Sequence, residues 1–125
     1  MRTMILTILA CLLVATARPC HAQAPAVPEA LMKKLMTAVE NNDYASFVED
    51  SIPEFKGNVT PQIVEGVSTQ LAERMKEGYE CVYLTEMKQS AFKIYLWKVV
   101  FKDLGDDALI KMVVRDDQVA GFWLQ

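Results

Sequence analysis

The apolar residues of this chain change their spacing at Gly78. Ahead of it they recur every three or four positions. Behind it they recur at every second position. A helix presents the first pattern on one face and a strand presents the second. A chain carrying them in that order is constrained to helices followed by a sheet, and short links between the later segments make that sheet antiparallel.

On the helical side, Leu31, Leu35, Ala38 and Val39 predict a helix starting near Glu29 and ending at Asn41-Asn42. Glu29 falls in the first turn, where a carboxylate suits the helix dipole. Asp43 can cap a short second helix, Tyr44 to Glu49, before Ile52-Pro53 interrupts it. Gly57-Asn58 reads as a turn. A long third helix follows, with Thr60 as cap and Pro61 in the first position, where its missing N–H costs nothing. Its apolar stripe is Val64, Val67, Leu71 and Met75, widened by Ile63 and Ala72, and Gly78 ends it.

On the strand side, Tyr79, Cys81, Tyr83, Thr85 and Met87 alternate with Glu80, Val82, Leu84 and Glu86. Residues 91–102 are rich in aromatic and β-branched side chains and form the strongest strand signal. One face of that strand is Phe92, Ile94, Leu96, Lys98 and Val100; the other is Lys93, Tyr95, Trp97, Val99 and Phe101. Both are largely apolar, as in a central strand with helices over one face and something else, such as a partner subunit, over the other. Turns at residues 103–107 and 116–118 delimit two further strands, Ala108 to Arg115 and Val119 to Leu124. The expected class is α+β, with N-terminal helices packed on an antiparallel sheet.

The first 22 residues stand apart. Arg2 precedes an apolar run from Ile5 to Ala15, and Pro19 then breaks it ahead of small residues. These are the parts of a cleavable export signal. Cleavage after Ala22 is preferred, with cleavage after Ala24 as the alternative. The run is shorter than the ~20 residues that cross a bilayer, which argues against a permanent anchor. Cys11 lies inside the run, which argues against a lipid-anchored cysteine. The expected organisation is a signal over 1–22, a linker over 23–28 and one domain over 29–125, located in the periplasm or secreted.

Export changes the composition that matters. The full chain has 13 basic and 16 acidic residues; losing Arg2 and Arg18 leaves 11 against 16, a formal charge of −5. Such a domain does not favour nucleic acid or an anionic membrane surface, and no second segment of membrane length is present. The only histidine, His21, and two of the three cysteines, Cys11 and Cys20, leave with the signal. Ser-His-Asp and Cys-His nucleophilic arrangements, histidine-ligated zinc or haem, an internal disulfide and a four-cysteine cluster are thereby excluded from the remaining domain. No cofactor is implied.

The opening helix carries the pattern Leu35-x-x-Ala38-Val39-x-x-x-Asp43-x-x-x-Phe47, a Thr60-Pro61 helix follows, and the chain closes on Val119-Ala120-Gly121-Phe122-Trp123-Leu124. In this layout residues 29–125 resemble the nuclear transport factor 2-like (cystatin-like) superfamily, in particular its small secreted bacterial members of uncharacterised function. The resemblance implies helices held inside a curved sheet that forms a cone with a pocket at one end. Enzymes of that superfamily combine histidine, aspartate and tyrosine in the cone. This chain departs from them in having no histidine after export, and it lacks the long first strand that often follows the helices.

Tyr79, Tyr83, Tyr95 and Trp97 can line a pocket for an apolar ligand; they equally suit a core or a dimer face. Lys98 ends an apolar run on its own face, as a charge at the mouth of a cone would, or as a snorkelling edge residue would. Cys81 has no histidine to activate it and reads as a small buried hydrophobe. Asp43 reads as a helix cap. The acidic turns Asp103/Asp106/Asp107 and Asp116/Asp117 lack the ligand spacing of a calcium loop and read as solvated. Asn58-Val59-Thr60 fits the glycosylation sequon, which acts only in a eukaryotic secretory pathway. The expectation is an exported, non-enzymatic domain that binds a small apolar ligand or a protein partner and pairs with a second copy through its sheet. The alternative is a cofactor-independent isomerase or dehydratase acting in the cone.

Overall fold

The computed structural model describes residues 23–125; the expected export signal lies outside them. Four helices precede four strands: α1 (Ala26–Asn41), α2 (Tyr44–Glu49), α3 (Pro53–Asn58), α4 (Pro61–Glu77), β1 (Tyr79–Gln89), β2 (Phe92–Phe101), β3 (Ala108–Arg115) and β4 (Gln118–Leu124). The α+β order read from the changing period is the order observed.

Local chemistry explains most of the boundaries. Helix α1 starts at Ala26, ahead of the expected Glu29, because Pro25 at its N-cap and Pro28 in its first turn both suit a helix start. Its end is set by Asn42 in the left-handed region, with φ 50°. Asp43 caps α2, its carboxylate accepting from the Ser46 N–H at 3.1 Å. Thr60 caps α4, its hydroxyl accepting from the Ile63 N–H at 3.3 Å. Gly78 ends α4 with φ 115°, and a Cβ there would also meet the Lys102 side chain at 2.6 Å.

Helix α3 departs from the reading of 52–58 as interruption and turn. Pro53 opens a six-residue helix, and Gly57 and Asn58 form its last turn. The segment leading into it pairs with the sheet: the Ile52 N–H donates to the Val119 carbonyl at 2.9 Å, and the Val119 N–H donates to the Asp50 carbonyl at 2.8 Å.

The strands form one antiparallel sheet in the order β1-β2-β3-β4, with β1 and β4 as its edges. Each edge–centre pair contains a register shift. On β1 it falls between Tyr83 and Thr85, and on the β3–β4 pair between Val113 and Val114. A one-residue bulge turns every later side chain to the other face. Tyr83 therefore sits opposite Trp97, whereas Thr85 sits opposite Leu96 and Met87 opposite Ile94. The expected single face of Tyr79, Cys81, Tyr83, Thr85 and Met87 is split at Leu84.

The sheet is open and does not curl, so the expected cone is absent and the nuclear transport factor 2-like reading is withdrawn with it. Strands β1 and β4 are its two edges and do not pair with each other, so the sheet does not close around the helices. Helices α1 and α4 lie instead as a layer over one face. Their buried side chains, including Met32, Met36, Val39, Val64 and Met75, meet Tyr95, Trp97, Val99, Phe101, Ile110 and Met112 in one core. The α4 stripe is rotated from expectation: Ser68 is buried and Ile63 is half exposed. At the far corner Arg74 stacks on Phe101 at 3.9 Å and donates from Nε to Asp103 at 2.6 Å, tying the β2–β3 loop to α4.

Candidate functional site

The sheet has two apolar faces, and among the described residues helices cover only one of them. The inner face, under the helices, carries Tyr95, Trp97, Val99 and Phe101 from β2 and Ile110, Met112 and Val114 from β3, all buried. Alternation places Ile94, Leu96, Lys98 and Val100 on the outer face of β2, and Leu109, Lys111, Val113 and Arg115 beside them on β3. On the edges, Val82 lies opposite Lys98, Met87 opposite Ile94 and Trp123 opposite Lys111. This face ranges from buried Ile94 to Met87 at 51% and Trp123 at 50% exposure.

The outer face is built with some care for its exposed aromatics. Trp123 lies flat over Gly121, where an added Cβ would come within 2.5 Å of the indole ring. Glycine is therefore what allows the ring to rest on the sheet. Lys111 sits 5.0 Å from the centre of that ring, and Arg115 sits 5.7 Å from the centre of the Phe92 ring. Glu80, on β1, is the carboxylate of the same face, since it pairs with Val100.

The residues singled out from the sequence are divided between the two faces. Tyr79, Tyr83, Tyr95 and Trp97 all belong to the inner face, with Tyr83 and Tyr95 ring centres 5.8 and 6.1 Å from that of Trp97. Lys98 is exposed on the opposite face, so it does not join them. Trp97 is fully buried within the core. Tyr83 borders a hollow of about 440 Å³ beside the start of α1, together with Glu29, Glu80 and Cys81. Tyr95 borders a different one, of about 600 Å³, with Lys93, Glu86, Asp116 and Asp117 at the opposite end of the strands. Burial, aided by Glu86, raises the pKa of both phenols.

Glu29 was read only as a helix-dipole residue. Its carboxylate in fact accepts from the Trp97 indole N–H at 3.1 Å and pairs with Lys33 at 3.5 Å. A buried indole needs such an acceptor. Trp97 and Glu29 are 68 residues apart, and no local pattern links them. Cys81 is partly buried beside Glu29. Burial first, then that carboxylate, pushes its thiol up to about 11, so it is a poor nucleophile at neutral pH. Asp43 is held below the usual carboxylate range by hydrogen bonds from Ser46, as a cap should be. Asn58 is exposed at the end of α3.

Among the described residues no group of three or more His, Cys, Asp or Glu is placed to hold a metal ion, and no helix is long and apolar enough to cross a membrane.

No protein-family model matches the chain, and no curated protein matches it either. Among solved structures it is similar to an uncharacterised cystatin-fold protein from Novosphingobium aromaticivorans, at 13% identity and a TM-score of 0.40 over 82% of this chain and 99% of that one.

Proposed function

We propose that the chain is an exported interaction domain without a catalytic role, and that the outer face of its sheet docks a second copy of itself. The observation that carries this reading is the apolar outer face, from Val82 and Met87 across Leu96 and Val100 to Val113 and Trp123, which no helix among the described residues covers. Contiguous exposed apolar surface is a mark of interaction sites. Two sheets packed face to face keep their strands nearly aligned and exclude water from the side chains between them.

The occupant this face suits is a second copy. A two-fold axis along the strands lays the apolar strips of two outer faces against each other, with the strands of the two sheets nearly aligned. Such a self-complementary patch is what an isologous dimer requires.

The isomerase or dehydratase alternative is tied to a cone, and the open sheet forms none. Export rests on the residues of the first segment, and fractionation of expressing cells tests it directly. Dimerisation is tested by light scattering of the exported protein. The expected mass is twice that of one chain at micromolar concentration. A monomer whose mass does not rise with concentration would remove the second copy from the proposal.

A further inference from the structure

We infer that Gln23 becomes the first residue of the exported chain and closes into a pyroglutamyl ring, an inference that rests on the export reading above. The way the domain begins points to this residue. Among the described residues Ala24 is the first side chain seated against the core, and Pro25 is the N-cap of α1. Gln23 precedes both, is exposed, and belongs to no helix or strand. A chain cut after Ala22 keeps every described residue. A chain cut after Ala24 would lose a residue packed on the core, and the cut would fall at the tertiary nitrogen of Pro25, which has no N–H and a fixed φ.

Cutting after Ala22 turns the Gln23 amide nitrogen into a free α-amine. Such an amine titrates near pH 7.7–8.0, so roughly a tenth or more is neutral and nucleophilic at pH 7. It attacks the Cδ carbonyl carbon of its own side chain. The N–Cδ bond forms and the bond from Cδ to the side-chain nitrogen breaks. A proton passes from the attacking to the departing nitrogen, which leaves as ammonia. No oxidant, reductant or second substrate is needed. Glu29 and Glu80 border the same hollow as Gln23. They favour the protonated amine and slow the closure, but loss of ammonia draws it to completion. The ring removes a positive charge from just ahead of the N-terminus of α1, where the helix dipole disfavours it. It also leaves aminopeptidases no free amine, which keeps Ala24 on the core.

The test is the intact mass, with a terminal-peptide fragmentation spectrum, of the protein expressed from its full-length gene and recovered from the exported fraction under acid quench. The expected result is residues 23–125 lighter by one ammonia, with the loss confined to the first residue. The Gln23→Ala variant should show residues 23–125 with no such loss. Residues 23–125 at full mass would overturn the ring while leaving export standing. A chain starting at Pro25 would overturn the ring together with the preferred cleavage site, and an uncut chain would overturn both ring and export. An ammonia loss that persists in Gln23→Ala would place the chemistry elsewhere and overturn the assignment.

Discussion

The two faces of the sheet are made of similar residues and have different fates. Under the helices, Trp97, Val99, Ile110 and Met112 are wholly shielded from water. On the other side Leu96, Val100, Leu109 and Val113 are only half-buried, and Trp123 and Met87 stay half exposed. A sheet with one wet face ordinarily alternates apolar with polar residues. Strands β2 and β3 do not, apart from Lys98, Lys111 and Arg115. Their composition is that of a sheet shielded on both sides, while the described residues supply a cover for one. The two tryptophans show the contrast most clearly. Trp97 is buried and gives its N–H to Glu29; Trp123 lies on the sheet with a cation beside it.

If the inner face is the folding core, truncating its centre should be the most damaging change. Trp97→Ala is expected to cost about 3–5 kcal/mol in a denaturant titration, since it removes a large buried side chain and strands the Glu29 carboxylate. A loss under about 1 kcal/mol would mean that the two faces do not differ in the way described. The outer face should respond in association and barely in folding. Met87→Glu is expected to weaken dimerisation at least tenfold, about 1.4 kcal/mol, while unfolding stability at monomeric concentrations shifts by under about 0.5 kcal/mol.

Smaller effects belong to the joints between the layers. Ser51 is buried where the chain enters α3, and its hydroxyl has no partner among the described residues. Ser51→Ala should therefore raise stability by about 1 kcal/mol, read as a higher denaturation midpoint. Asp116 and Asp117 form the β3–β4 turn with φ of 51° and 59°, a conformation that suits Asn-Gly. Asp117→Gly is expected to gain about 1 kcal/mol and leave the exposure of both faces unchanged. The last effect is one of pH and is absent near neutrality. The Cys81 thiol is raised from 9.0 to about 11, so between those values the folded chain keeps a proton that the unfolded chain releases. Stability contributed by this group is fully present below pH 9 and declines toward pH 11. Cys81→Ala should flatten that decline relative to the parent chain, and alkylation of the native thiol should remain slow until the pH approaches 11.

Features encoded by neighbouring residues were legible in the sequence. The caps Asp43 and Thr60, the proline start of α4, the Gly78 stop and the two faces of β2 each follow from residues a few positions apart. Helix α3 was hidden because six residues beginning with proline and ending in Gly57-Asn58 carry turn chemistry and too few positions to show a period. The bulge at Leu84 was hidden because alternation continues through it in the sequence while the faces exchange in space. The cone failed for a related reason: curvature depends on how strands pair, and alternation reports only which side each residue faces. For the candidate site, the outer face of β2 was readable as apolar. The bridge from Glu29 to Trp97 was not, since it is made only when the helix lands on the sheet.

The contrast between the faces is tested most directly by hydroxyl-radical footprinting of the purified protein across a concentration series, comparing Met87 and Trp123 with Trp97. Trp97 should resist oxidation throughout. Met87 and Trp123 should be oxidised readily when dilute and become protected as the dimer forms, with Met87→Glu abolishing the protection of Trp123. Equal oxidation of Met87 and Trp123 at every concentration would contradict the account, because the outer face would then remain in water.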